Sequence, residues 1–224
     1  MKILALSTSS NVCSVALLED DICIKELNIC NERTHSEKLM PLIEEIFNVT
    51  GSSLSDISLI CCDNGPGSFT GIRIGVATAK ALAEAKSIPV IACSSLEALA
   101  YNVTNSDYIC SIIDARNNQV YAAIFDKNYN KISDYFADDI NNLLPSFEKY
   151  SNISFVGDGI KLLNINSSID NYIHSKNVGI CGYNKYKEGL ATNADNLSVL
   201  YLRPSQAERL KEQKKELKIW KFQI

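Results

Sequence analysis

The chain has 224 residues, 46% of them hydrophobic, and 22 Lys and Arg against 26 Asp and Glu give it a formal net charge of −4 at pH 7. That is enough apolar sequence for an ordinary core, and the acidic balance excludes a protein whose whole surface grips phosphates. No apolar run approaches the ~20 residues that cross a bilayer, and Met1-Lys2-Ile3-Leu4-Ala5-Leu6 passes into Ser and Asn without a signal-peptide cleavage pattern, so a cytoplasmic protein with no membrane contact is expected.

Three short apolar segments come first, at residues 3–7, 12–18 and 22–27, separated by Ser9-Ser10-Asn11 and Asp20-Asp21. They predict a β-meander. From Ser36, a candidate N-cap, the residues Leu39, Leu42, Ile43, Ile46 and Phe47 recur at helical spacing, and Gly51 ends the pattern. Residues 57–62 then predict a buried strand, followed by the glycine loop GPGSFTGIRIG at 65–75 and an Ala-rich helix from about Gly71 to Lys86. A strand at 89–93 and a short helix capped by Ser95 complete the order βββαβαβα. Alternation of this kind builds an α/β layer on a mixed sheet, the layout of a ribonuclease-H-like half-domain.

After the polar stretch 101–107 the pattern restarts, with predicted strands at 108–113, 120–125 and 131–135, a helix-like stretch at 140–150 and a strand at 153–156. Two similar beginnings suggest a duplicated half-domain, dividing the chain into residues 1–103 and 104–224. From Arg203 onward the sequence turns basic, with Arg209, Lys211, Lys214, Lys215, Lys218 and Lys221 against Glu208, Glu212 and Glu216. Glu and Lys at helical intervals favour a solvated helix over an RNA contact there. The eight cysteines form no CxxC pair and mostly lie in apolar runs such as Leu59-Ile60-Cys61-Cys62. They read as small buried hydrophobes, not as a zinc site.

A glycine loop between a buried strand and a helix presents outward amides and a favourable dipole to an anion. The segment nevertheless lacks the lysine and adjacent hydroxyl of a P-loop and the spacing of a dinucleotide fingerprint. Close backbone packing explains the glycines equally well. On physics alone both readings stand.

The sequence resembles the bacterial TsaB family, also called YeaZ, over nearly its full length. The resemblance is carried by residues 3–9 (ILALSTS), by Thr34-His35-Ser36 with Leu39 and Pro41, and most specifically by Gly65, Pro66, Gly67, Ser68, Phe69, Thr70 and Gly71 within the 65–75 loop. Residues 94–100 (SSLEALA), Asp114-Ala115-Arg116 with Val120-Tyr121, Gly157-Asp158-Gly159 and Tyr201-Leu202-Arg203 follow in the expected order. The resemblance implies an actin-like fold of two ribonuclease-H-like half-domains with mixed sheets, the second reduced. It also implies a role in forming threonylcarbamoyladenosine next to the tRNA anticodon.

Catalytic relatives of that family, the TsaD-type proteins, hold a metal through HxxxH on one helix face plus a distant Asp, because imidazoles four residues apart can converge on one ion. Here the only histidines are His35 and His174. Ser36, Glu37, Lys38 and Leu39 follow His35, so the second ligand is missing, and His174 has no evident partner. At the end of the first strand, where actin-like ATPases use a carboxylate to organise magnesium and the resembled family commonly retains an Asp, the residue is Ser7. No GxSxG elbow is present. Asp114 with Arg116 reads as a structural salt bridge and Asp158 as a turn aspartate.

The expectation is therefore a non-catalytic scaffold with no metal and no cofactor in the isolated chain, any nucleotide sitting at the interface of an assembled complex. The family pairs the first helix and the Ala-rich helix with a TsaD-like catalytic subunit. This assigns His35, Leu39, Leu42, Ile43, Ile46, Ile72, Arg73, Val76 and Lys80 to the partner interface, although half of each helix must cover its own sheet. A TsaE-like ATPase and tRNA, reached through the complex, are the further partners, and the same face is expected to form a homodimer when the chain is alone. The rival readings are a metal-dependent peptidase-like enzyme and an independent actin-like ATPase.

Overall fold

A computed structural model describes residues 1–30, 35–165, 167 and 169–203; the basic tail beyond Arg203 lies outside these. The meander forms as expected from β1 (Lys2–Ser7), β2 (Val12–Glu19) and β3 (Ile22–Cys30), joined in parallel by β4 (Leu59–Asp63) and β5 (Val90–Cys93). The five strands lie in the order β3-β2-β1-β4-β5. Because strand side chains alternate between faces, the central strands have one apolar set for each side. Leu4, Leu6, Val15, Leu17, Ile60 and Cys62 meet α1 (His35–Thr50) and α2 (Phe69–Lys86). Ile3, Ala5, Ala16, Leu18, Leu59 and Cys61 face the opposite core, which holds α3 (Ser95–Ala100).

The second sheet takes the order β8-β7-β6-β9, from β6 (Tyr108–Arg116), β7 (Gln119–Asp126), β8 (Phe136–Asp139) and β9 (Ile153–Val156), with β6 and β9 parallel. Its helical cover is small. Ile140 and Leu143 of α4 (Ile140–Leu143) pack on Cys110, Ile112, Val120, Ala122 and Ile124. The other face, with Ile109, Ile113, Ala123 and Phe125, joins the core shared with the first sheet.

Four expectations are corrected. The third strand of the second meander is not at 131–135: Lys131 makes one bridge to Phe125, and β8 starts at Phe136. The Asp126 side chain accepts from the amides of Asn128 and Asn130 at 2.8 and 2.9 Å, closing a local turn that delays the strand. The helix-like stretch 140–150 is one short turn of α4 followed by a 3-10 turn at Leu144–Phe147, because Pro145 has no amide to continue the ladder. Helix α1 already includes His35, so Ser36 lies inside its first turn. Helix α2 begins two residues before Gly71, capped by Ser68, whose Oγ accepts from the Gly71 amide at 3.2 Å.

Helix α5 (Ser175–Lys187), the last α-helix among the described residues, belongs to the second stretch of sequence but lies on the first sheet, against β1, β2, β4 and β5. Gly179 and Gly182 allow this, since a Cβ there would meet Leu18 and Cys61. The chain then covers the free edge of β5 through the Val90–Thr192 bridge.

Candidate functional site

Strands β1, β4 and β5 end together, and the residues that follow them converge on one carboxylate. Asp63, the last residue of β4, is completely buried. Its Oδ1 accepts from the Gly65 amide at 3.0 Å and from Ser95 Oγ at 2.6 Å. Its Oδ2 accepts from Ser7 Oγ at 2.7 Å and from Ser9 Oγ. Burial drives this carboxyl above its ordinary range, and the hydrogen bonds from Ser9, Ser95, Gly65 and Ser7 oppose that. The predicted strand 57–62 stops one residue short of Asp63, which the sequence does not single out. The serines that reveal it lie far away in the chain.

The same contacts fix the glycine loop. Ser95 N donates to Gly65 O at 2.8 Å and Ser68 N to Ser9 O at 2.6 Å, while Thr8 Oγ1 donates to Gly71 O at 2.7 Å. Gly65 has φ of +107°, and a Cβ on Gly71 would collide with the Thr8 carbonyl. These two glycines are required by conformation and by close approach, so the packing reading accounts for them. Leu200 N donates to Asn64 O and Asn64 Nδ2 to Ser198 O, both near 2.9 Å, so the segment after α5 straps the loop from outside.

Beside the loop lies a cleft of about 840 Å³ between the two sheets. One wall is the 9–11 turn with Gly67, Ser68 and Gly71; the facing wall carries Asp114, Arg116, Asp158 and Lys161; residues 171–173 form a third. Asp158 Oδ1 accepts from the Asp114 amide at 2.9 Å, and Arg116 Nη1 approaches Asp114 Oδ2 at 3.5 Å with 86% of its side chain exposed. The first contact holds the β6 turn, and the second is an exposed ion pair of little strength. Among the described residues no three His, Cys, Asp or Glu side chains gather as a metal site would need.

The residues assigned to a partner interface divide sharply. Leu39, Leu42, Ile43, Ile46, Ile72 and Val76 are at most 6% exposed and pack on their own sheet. They are the inner stripes of α1 and α2. His35 turns to the cleft, where its Nε2 meets Ser10 O at 2.7 Å. Arg73 is exposed but occupied, its guanidinium 4.0 Å over the Phe69 ring and its Nε donating to Tyr201 Oη at 2.6 Å; Phe69 and Tyr201 stack at 4.6 Å. Lys80 donates to Asp195 O at 3.2 Å. The outward face of α2 carries Ala77, Ala81 and Ala85 beside Arg73 and Glu84, with Met40 of α1 half exposed. His174, which lacked a partner in sequence, lies between Glu26 and Asp170.

Comparison with known proteins adds the following. A family model described as TsaD, tRNA N6-adenosine threonylcarbamoyltransferase, matches residues 30–212. The tRNA threonylcarbamoyladenosine biosynthesis protein TsaB of Bacillus subtilis is 42% identical over 126 residues, 56% of this chain and 55% of that protein. Its Escherichia coli counterpart of the same name is 36% identical over 135 residues, 59% and 58% respectively. The matches thus span a little over half the length of these curated relatives. A solved structure described as an uncharacterized protein with similarity to peptidase YEAZ, from Pseudomonas aeruginosa, superposes with a TM-score of 0.80 at 25% identity, covering 90% of this chain and 99% of that one.

Proposed function

This chain belongs to the family of the TsaD, tRNA N6-adenosine threonylcarbamoyltransferase, model, in its TsaB (YeaZ) branch with an actin-like fold, and on that premise we propose that it serves threonylcarbamoyladenosine formation on tRNA as a non-catalytic scaffold. It binds a TsaD-like subunit that carries out the transfer, and a TsaE-like ATPase and tRNA join through that pair. Without the TsaD-like subunit the same face pairs two copies of this chain.

One observation carries the reading. Asp63, the carboxylate at the strand ends beside the cleft, is consumed by three hydroxyls and an amide inside the fold, and Ser7 stands where actin-like ATPases place the carboxylate that organises magnesium. A carboxylate so engaged has no lone pairs left to organise a metal. His35 and His174 are likewise committed to contacts of this chain. The interface falls on the exposed strip of α2, where small side chains let another helix approach closely.

Size-exclusion chromatography with the TsaD-like subunit of the same genome tests this. The wild-type chain is expected to co-elute, and Ala77→Glu with Ala81→Glu, both on the exposed face, to elute alone with an unchanged circular dichroism spectrum. Failure of the wild type to co-elute overturns the scaffold reading, and co-elution of the double variant overturns the α2 assignment. ATP turnover by the purified chain would replace both with the ATPase reading.

A further inference from the structure

Both ring nitrogens of His174 face a carboxylate. Nδ1 lies 3.1 Å from Glu26 Oε2 and Nε2 lies 2.7 Å from Asp170 Oδ2. A neutral imidazole has one N–H and one lone pair, so it satisfies one carboxylate and turns its lone pair on the other; only the imidazolium donates to both. The arrangement therefore specifies the charged ring. Lys176 on α5 and the thiol of Cys23 on β3 are the other titratable groups beside this cluster among the described residues, and burial keeps that thiol neutral.

The two carboxylates have unequal surroundings. Glu26, on edge strand β3, has a side chain only 12% exposed, and its Oε1 also accepts from the Lys176 amide at 2.8 Å and Ser175 Oγ at 3.2 Å. Asp170 is 50% exposed, and its Oδ1 accepts from the Tyr172 amide at 2.9 Å. The carbonyls of Asp170 and Tyr172 each accept from Asn102 Nδ2 at 2.8 Å, and Asn171 Oδ1 accepts from Gly157 N at 2.8 Å. Residues 170–174 thus form a bracket, and its members Asn171, Tyr172 and Ile173 are a wall of the cleft.

We propose that His174 is a pH-dependent clamp on that wall: as the imidazolium it ties Asp170 to Glu26, and on losing its proton it stays with buried Glu26 and releases exposed Asp170, loosening residues 170–173. Glu26 keeps the remaining N–H because a buried anion loses more by forfeiting a donor than a solvated one. A water molecule can replace the donor at Asp170 but not at Glu26. The clamp acts on the cleft whatever the cleft holds.

The chain contains only two histidines, so His174→Gln assigns both ring signals in a proton NMR titration. The wild-type His174 midpoint is expected above the ordinary 6.5. Hydrogen exchange at the Tyr172 amide, corrected for its intrinsic rate, is expected to lose up to about tenfold in protection per pH unit as pH rises toward that midpoint and to level off above it, with β1 amides unchanged. Asp170→Asn, which leaves the Glu26 contacts intact, is expected to lower the midpoint and to show the loosened bracket already at pH 6. A His174 midpoint at or below 6.5, or equal Tyr172 protection at pH 6 and pH 9, overturns the clamp. Should His174→Gln not fold, Asp170→Asn decides alone through the same two readings.

Discussion

Asp63 sits in the interior with no cation beside it among the described residues, its charge spread over four donors drawn from residues 7, 9, 65 and 95. Removing one donor, as in Ser7→Ala, is expected to lower stability by about 1.5–3 kcal/mol, since hydrogen bonds to charged groups are the stronger kind. Restoring the family's acid should be worse. In Ser7→Asp a second carboxyl would lie where an oxygen now stands 2.7 Å from Asp63 Oδ2, so one of the two must hold a proton in the folded protein. That carboxyl has a folded pKa above its unfolded one; its contribution is present at low pH and lost as pH rises. Urea melts of Ser7→Asp are expected to show a larger deficit at pH 8 than at pH 5, and equal deficits would refute the geometry. Ser7 itself was legible in the sequence as a departure. Its consequence was not, because the partner is 56 residues away.

The helices show which features periodicity can carry. The inner stripes of α1 and α2 were plain at the spacing i, i+3, i+4, but the same stripe serves a core or a partner, and only the packed sheet decides between them. Here the sheet claims all six apolar candidates, and the outer face of α2 is left to Arg73, Glu84 and three alanines that no pattern singles out. Helix α5 was invisible for another reason: its glycines and asparagines give little amphipathic signal, and its N-terminus is completed by Glu26, a residue of β3. Ser175 N donates to Ser14 Oγ at 3.0 Å and Lys176 N to Glu26 Oε1 at 2.8 Å, a carboxylate set against the positive end of a helix dipole. Burial resists the ionisation of Glu26, but hydrogen bonds from His174 and the Lys176 amide bring it down to about 2. Its contribution to stability is thus full above the ordinary 4.5 and lost as pH falls toward 2. For His174 the bond to Glu26, opposed by burial and joined by the bond to Asp170, raises the pKa, so its contribution is full below 6.5 and lost above its raised value. Glu26→Gln is expected to cost about 1–3 kcal/mol near pH 6 and to remove part of the acid sensitivity between pH 4.5 and 2; thermal melts across pH check both.

At the scale of the molecule, the duplication read from two similar beginnings is present as two sheets, and the family's fold is recovered. What the sequence hid is how the halves share a core. Ile3, Ala5, Leu18, Leu59 and Cys61 of the first sheet, Val178 and Cys181 of α5, and Ile109 and Phe125 of the second sheet are one cluster. A fragment of residues 1–103 would leave the α5 face of its sheet bare, and such a continuous apolar surface is expected to make it aggregate or bind hydrophobic dye. A cooperative, dye-free fragment would contradict that. Adding a peptide of residues 169–203 is expected to restore solubility.

The position of α5 also has a consequence for synthesis. A ribosome delivers residues 1–103 long before Ser175–Lys187, so the first half emerges with one sheet face covered by α1 and α2 and the other open to its surroundings. Maturation of the first-made half must wait for a helix made more than 70 residues later, and a nascent chain stalled before residue 175 should be a favoured client of chaperones that hold apolar surface.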